Sequence, residues 1–352
     1  MSESAPVIAA GIDRILRDAV DRRLLERFDA GEYPRALWTT LEQSGYASVL
    51  AAAAAAADWQ DAEPVLRAAG YHRLPLPLAE TLVADWLLAT AGLPARAGEA
   101  TLVQADGALQ LTRIRSGLRI DGLARRVPWG RHAKRVVVCG DADGEPTIAL
   151  LEAPGPEAIE SGQNAAREPR DNLRFAAVHA AASAGLALGA NAALTYGALA
   201  RAAAIAGAIE SVLEQAVQYA NDRVQFGRPI GKFQAIQHQL AELACESAAA
   251  SAAVTAACQA AGTAGAPFHI AIAKIRAGDA AERAAAIAHQ VHGAIGFTYE
   301  HTLHFGTRRL WAWRSEFGSS ALWAQRVGSA MIRRGGAGLW TGMTGDKVDV
   351  GS

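Results

Sequence analysis

Residues 219–243, YANDRVQFGRPIGKFQAIQHQLAEL, gather the groups best suited to gripping a diphosphate. Arg223 brings a permanently charged fork whose N–H groups match phosphate oxygens. A helix ends near Gly227, with Pro229 just beyond, and another starts after Gly231. Phe233, Ile236, Leu240 and Leu243 keep the three-to-four spacing of a buried helix face. The start of that helix offers free backbone N–H groups and the positive end of its dipole. Gln234 and Gln237 add amides at the same end. On physics alone, a plain helix hairpin with a solvated arginine explains these residues equally well.

Proton transfer needs a carboxylate in a dry place and within reach of its proton. Glu316, in WRSEFGSS, is the candidate; its competing reading is a surface carboxylate beside Arg314. Glu210 and Glu214 lie one turn apart on a long helical stretch and read as solvated or helix-pairing groups. His289, His292, His301 and His304 form two i, i+3 pairs, but they lack cysteine and carboxylate support, so no metal site is expected. Trp311, Trp313, Phe317 and Trp323 suit a core between helices better than an apolar pocket.

RVQFGRPIGKFQAIQHQLAEL resembles a flavin-contacting segment of the acyl-CoA dehydrogenase family. HQVHGAIGFTYEHTLHFGTRR, residues 289–309, resembles that family's other flavin-contacting loop, in the same order along the chain. The similarity is close over residues 200–318 and faint before them. It implies FAD as cofactor, with Arg223, Val224 and Gln225 at the diphosphate and Phe233 and Gln234 at the following helix start. Gln290, Val291, His292, Gly293 and Ala294 would approach the same cofactor from a neighbouring subunit. Gly293 and Gly296 allow close backbone approach, although Ala294 stands where the family usually has a second consecutive glycine. Ser319 would lie near the adenine or ribityl end, and Trp129 near the isoalloxazine, where core packing beneath a sheet is the other reading.

The family's chemistry, on this resemblance, is α,β-dehydrogenation of an acyl-CoA in lipid metabolism. A carboxylate takes the proton beside the thioester carbonyl, and the flavin accepts a hydride from the next carbon. The implied partners are an acyl-CoA substrate, an electron-transfer flavoprotein or similar acceptor, and sister subunits in a tetramer built as a dimer of dimers, homomeric or heteromeric. The base is the departure. Counting from HGAIGF without gaps, the main branch's glutamate falls on Phe317, and a second branch's falls on Gly197. Glu316 would serve only after a one-residue shift, which turns a helical side chain by about 100°. Two expectations follow: an active oxidoreductase using Glu316, or a catalytically silent subunit that completes a flavin site while a paralogue supplies the base.

These residues need helices to position them. The 352-residue chain is long enough for a sizeable core. Its alanine-rich 51% hydrophobic content favours close-packed helices. Residues 1–98 read as an N-terminal helical domain, with 8–29 as one amphipathic segment and further helices broken by Pro34, Pro75 and Pro77. Residues 78–95 resemble the family segment lining one end of the substrate cavity, or a simple packing helix. Alternating apolar and polar residues between Gly/Asp turns mark residues 99–185 as a shortened β-domain without the family's flavin-touching Thr/Ser stretch. Residues 186–334 read as a C-terminal four-helix bundle, and 335–352 as a Gly-rich mobile tail. The fold expected is mainly α with a small middle β-domain.

A net charge of −1 gives no electrostatic case for nucleic acid or an anionic membrane. The basic run at 125–135 reads as a solvated face or a diphosphate neighbour. The apolar stretches at 48–57 and 180–208 are interrupted and Ala/Gly-rich, so no membrane span is expected. Cys139, Cys245 and Cys258, far apart and odd in number, point to a reducing compartment. With no signal peptide visible, the expected location is cytoplasmic.

Overall fold

The computed structural model describes residues 4–51, 59–94, 96–154, 158–344 and 350. Part of the apolar run at 48–57 and part of the tail, residues 345–349 and 351–352, lie outside the described residues.

Among the described residues, the N-terminal region has five α-helices: α1 (Ala5–Ala19), α2 (Arg22–Asp29), α3 (Arg35–Gln43), α4 (Trp59–Tyr71) and α5 (Leu78–Thr90). The single segment expected at 8–29 is split. Asp21 is extended, and its carboxylate accepts the Leu24 N–H at 2.7 Å, which caps a fresh helix rather than continuing the old one.

The middle region forms two four-stranded sheets. One has the order β1 (Ala100–Gln104), β4 (Arg135–Ala142), β5 (Glu145–Glu152), β8 (Ala182–Gly185), with β1 and β4 parallel. The other runs β2 (Leu109–Ile114), β3 (Gly117–Pro128), β7 (Arg170–His179), β6 (Ile159–Glu160). Val136 and Val138 face into the sandwich with Leu111, Ile120 and Phe175. Val137 and Cys139, pointing the other way, join the helical core. Burial on both faces explains the unbroken apolar run VVVC, residues 136–139, in β4.

Five more helices complete the fold: α6 (Ala192–Asp222), α7 (Gln234–Ala260), α8 (Ala266–His292), α9 (Leu303–Trp313) and α10 (Ser320–Thr344). A short hairpin of β9 (Val224–Gln225) and β10 (Arg228–Pro229) links α6 to α7. The bundle contains α6, α7, α8 and α10, with α8 packed on each of the other three and α6 packed on α4 as well. Its most apolar window is long enough to cross a membrane but lies inside the protein. Helices α4 and α6 meet backbone to backbone: a Cβ on Gly70 would overlap the Ala204 carbonyl, and one on Gly207 would overlap that of Arg67. Helical structure continues past residue 334, through a kink at Gly335 (φ 73°), so the first part of the expected tail is ordered as helix.

Candidate functional site

Arg223 sits where α6 ends and the backbone turns extended, and Gly227 takes φ 79° to close the β9–β10 hairpin. The hairpin stands out from the protein. Arg223, Val224 and Gln225 are exposed, and Phe226 is 93% exposed with its ring edge-on to Phe233 at 6.1 Å. The Arg228 guanidinium lies 4.2 Å above the Phe233 ring and holds the hairpin against the start of α7. Phe233 is the cap residue of α7, and Gln234, its first residue, is exposed. Among the described residues the Arg223 side chain has neither ion pair nor hydrogen bond, so its charge is available to a ligand.

The second segment meets the first at its base. His292 stacks on Tyr219 at 4.5 Å, one helical turn before Arg223, and His301 stands edge-on to His292 at 4.6 Å. The two segments therefore share one corner of one chain. Gln290, Gly293 and Ala294 are exposed there, while Val291 and His292 are buried. Gly293 adopts φ 63°, and the place its Cβ would take is open.

Two buried imidazoles bear on what fits. His292 donates from Nδ1 to the Ala288 carbonyl at 2.7 Å, which leaves buried Nε2 an unmet acceptor. His289 Nε2 pairs with the Thr307 hydroxyl at 2.9 Å, leaving Nδ1 likewise unmet beside Gly296. Burial lowers both, His292 to about 4, so both are neutral at physiological pH. A free guanidinium, glycine-opened backbone and unmet acceptors suit a ligand with phosphates and hydroxyls. FAD is such a ligand, and Arg223, Gln225, Gln290, Gly293 and Ala294 would hold it.

Glu316 is not placed as a base. Its carboxylate accepts Arg170 Nε at 2.7 Å and Nη2 at 2.8 Å, Asn164 Nδ2 at 3.0 Å, and pairs with Arg201 at 3.1 Å. Burial alone would raise its pKa, but the two guanidiniums outweigh burial and hold it down at about 2. Such a carboxylate has little affinity for a proton, and its lone pairs are occupied. The surface pairing with Arg314 is also absent: Arg314 pairs with Glu282. Glu316 instead belongs to a buried chain of alternating charge. It runs from Glu80 through Arg201, Glu316, Arg170 and Glu168 to Arg309. These residues come from all three regions of the fold. Lys274, fully buried on α8, donates to the Arg314 carbonyl at 2.8 Å and fixes the same turn from behind.

Phe317, next in sequence, takes the left-handed conformation (φ 51°) and lays its ring on Gly197 of α6. The gap bounded by Glu80, Val83, Leu102, Gly197 and Phe317 has no room for a water molecule. An open cleft of about 250 Å³ lies on the other side of Phe317, between β1, β3 and residues 315–317.

Trp129 does not face that cleft. Its left-handed backbone (φ 58°) turns the indole into the core between the sandwich and the first helices, 5.8 Å from Phe28 and 6.5 Å from Tyr33. Ser319 caps α10, accepting the Leu322 N–H at 3.3 Å. Asn164, Arg170 and Arg201 were not singled out by sequence, since nothing local to them signals a partner more than a hundred residues away. A larger cavity, about 560 Å³, opens between α1, α4 and α7 near Pro6, Pro64 and Tyr71. Its arginine, Arg67, is already paired with Glu63 and Glu210, and it touches neither loop segment.

The chain thus combines a helical domain, a β-sandwich and a helical bundle, with an exposed arginine and a glycine-opened backbone at one corner. Residues 184–332 match the family model described as acyl-CoA dehydrogenase, C-terminal domain. Acyl-CoA dehydrogenase FadE27 of Mycobacterium tuberculosis is 28% identical over 316 residues, covering 80% of this chain and 83% of the relative. Acyl-CoA dehydrogenase IpdE2 of the same organism is 42% identical over 103 residues, 29% of this chain and only 31% of IpdE2. The ChsE4-ChsE5 complex from Mycobacterium tuberculosis contains a chain of the same fold (TM-score 0.86, 22% identity, covering 94% of this chain and 98% of that one). Together these similarities support the acyl-CoA dehydrogenase family for this chain, most closely over residues 184–332.

Proposed function

We propose that this chain works in acyl-CoA dehydrogenation as the subunit without a base. It completes an FAD site in a hetero-oligomer, and a paralogous chain removes the proton. The observation that carries the proposal is the contact of Phe317 with Gly197, made while Glu316 is locked between Arg170 and Arg201. Of the three residues that could stand at the family's base positions, two have no ionisable group and the third is neutralised. The fold shared with a chain of the ChsE4-ChsE5 complex supports an assembly with a different partner chain.

FAD, when bound, would supply the hydride acceptor. The chain's own contribution is to hold it. Arg223 would neutralise phosphate charge, and the exposed backbone at Gly293 and Ala294 would approach it closely. Phe317 closes the space beside Gly197 of α6, which supports a chain with no base there. The acyl-CoA and its electron acceptor, such as an electron-transfer flavoprotein, would then be served at the partner's site. Three free cysteines support a reducing, cytoplasmic setting.

Co-expression with a neighbouring paralogue tests the proposal. The expected result is that the chain alone purifies colourless, whereas the pair co-purifies yellow with the absorbance of bound flavin. A chain that is yellow alone and turns over an acyl-CoA contradicts it.

A further inference from the structure

The cavity of about 560 Å³ between α1, α4 and α7 has the size of a small-molecule site, yet it lies apart from both loop segments and from Glu316. Its apolar side is built from small residues: Ala5, Pro6 and Ala9 of α1 stand across from Pro64 and Ala68 of α4. These short side chains let the two helices pack without filling the space beside them.

The polar side is acidic. Glu63 and Arg67 lie one turn apart on α4, and Glu210 reaches them from α6. Arg67 is the one cation among the described lining residues, and its donors are spent. It donates to Glu63 Oε1 at 3.3 Å, to the Ser251 hydroxyl at 3.0 Å and to Glu210 Oε1. The Thr255 and Ser251 hydroxyls donate to the same Oε1 atoms of Glu63 and Glu210, at 2.6 and 3.3 Å. Among the described residues no donor reaches Oε2 of either glutamate, so both atoms stay open as acceptors. Asp13, at one end, is matched by exposed Arg17 and bonded to His72 at 2.8 Å. Even with Asp13 set aside, two carboxylates share one guanidinium. Tyr71 gives its hydroxyl proton to Glu214, and Arg73 beyond it turns away to Ser211.

We propose that this cavity binds a small amphipathic cation. Its apolar body would lie against the alanines and prolines, and its protonated amine, a group with several N–H donors and no acceptor, would take up the two open oxygens. The full chain, and the chain with its co-expressed partner, would be titrated calorimetrically with phenethylammonium, phenethyl alcohol and phenylacetate, which share a ring and differ in charge. The cation is expected to bind about tenfold or more tighter than the alcohol, and phenylacetate more weakly than either. Salt should weaken the cation and leave the alcohol unaffected. Glu210→Gln should lower the cation's affinity about fivefold or more without changing the alcohol's. Ala9→Trp, which touches no charge, should fill the apolar side and abolish binding of all three. Should either variant fail to melt cooperatively, the other variant and the ligand series decide. Equal affinity for cation and alcohol, tighter binding of phenylacetate, or cation binding unchanged by a folded variant overturns the proposal. Absence of binding to wild type overturns it too. So does binding to the chain alone that the co-expressed partner removes, which would make the cavity a seat for the partner chain.

Discussion

Phe317 lies with its ring on Gly197, so close that a Cβ at 197 would come within 2.8 Å of the ring's Cγ and nearer still to its edge. These are the two positions onto which the base of each family branch falls by sequence. Instead of leaving space between them, the chain brings them into contact and closes it.

Gly197→Ala should therefore destabilise the protein by about 1–3 kcal/mol, the usual cost of overpacking. Removing the ring should remove that cost. In a double-mutant cycle with Phe317→Gly, the alanine is expected to be nearly neutral once the ring is gone, with coupling of about 1–3 kcal/mol in urea melts. Additive effects would show that the two residues do not compete for one space.

Glu316→Gln should cost about 3–5 kcal/mol, because it leaves Arg170 and Arg201 buried with only Glu168 and Glu80 as partners and removes the charge between them. The sign with pH follows from its lowered pKa. Glu316 stabilises the fold fully above its ordinary value near 4.5, and that stability is lost as pH falls towards about 2. The gap in midpoint between wild type and variant should narrow over this range. If Glu316 were a working base, the same substitution would abolish turnover of the assembled complex; on the present account turnover survives wherever the complex remains folded.

Lys274 gives the opposite slope. Burial chiefly lowers its pKa from 10.5 to about 7. Between these values the unfolded chain holds a proton that the folded chain has released, so stability rises with pH across the window. Lys274→Met should flatten the dependence of the thermal midpoint between pH 7 and 9. An unchanged slope would mean that the ammonium is solvated in solution.

Native thiol labelling should find one fast cysteine, Cys245, and two slow ones. Cys139 is fully buried, with its thiol pushed up to about 12, so it forms almost no thiolate at neutral pH. Under denaturant all three should react. A fast-reacting Cys139 in the native state would contradict the buried second face of β4.

The bundle, the β-region and the turn that follows α6 were legible because their signals are local: helical spacing and turn residues. The alanine and glycine content of α6 likewise announced close packing, which Gly70 and Gly207 provide. Glu316 was misplaced because its partners, Arg170 and Arg201, lie more than a hundred residues away and on other elements. Trp129 went astray through a positive φ that propensity does not forecast for tryptophan. The break at Asp21 was readable in principle, since an aspartate three residues before Leu24 is a cap signal inside an otherwise continuous amphipathic run. At Gly335 the tail bends instead of ending, because α10 resumes beyond the kink.

The most direct test is to add acyl-CoAs, with FAD supplied, to this chain alone and to the co-expressed pair, following the visible spectrum. The account predicts that only the pair bleaches and that Glu316→Gln in this chain leaves the bleaching intact. Bleaching of the chain alone, lost on Glu316→Gln, would contradict it.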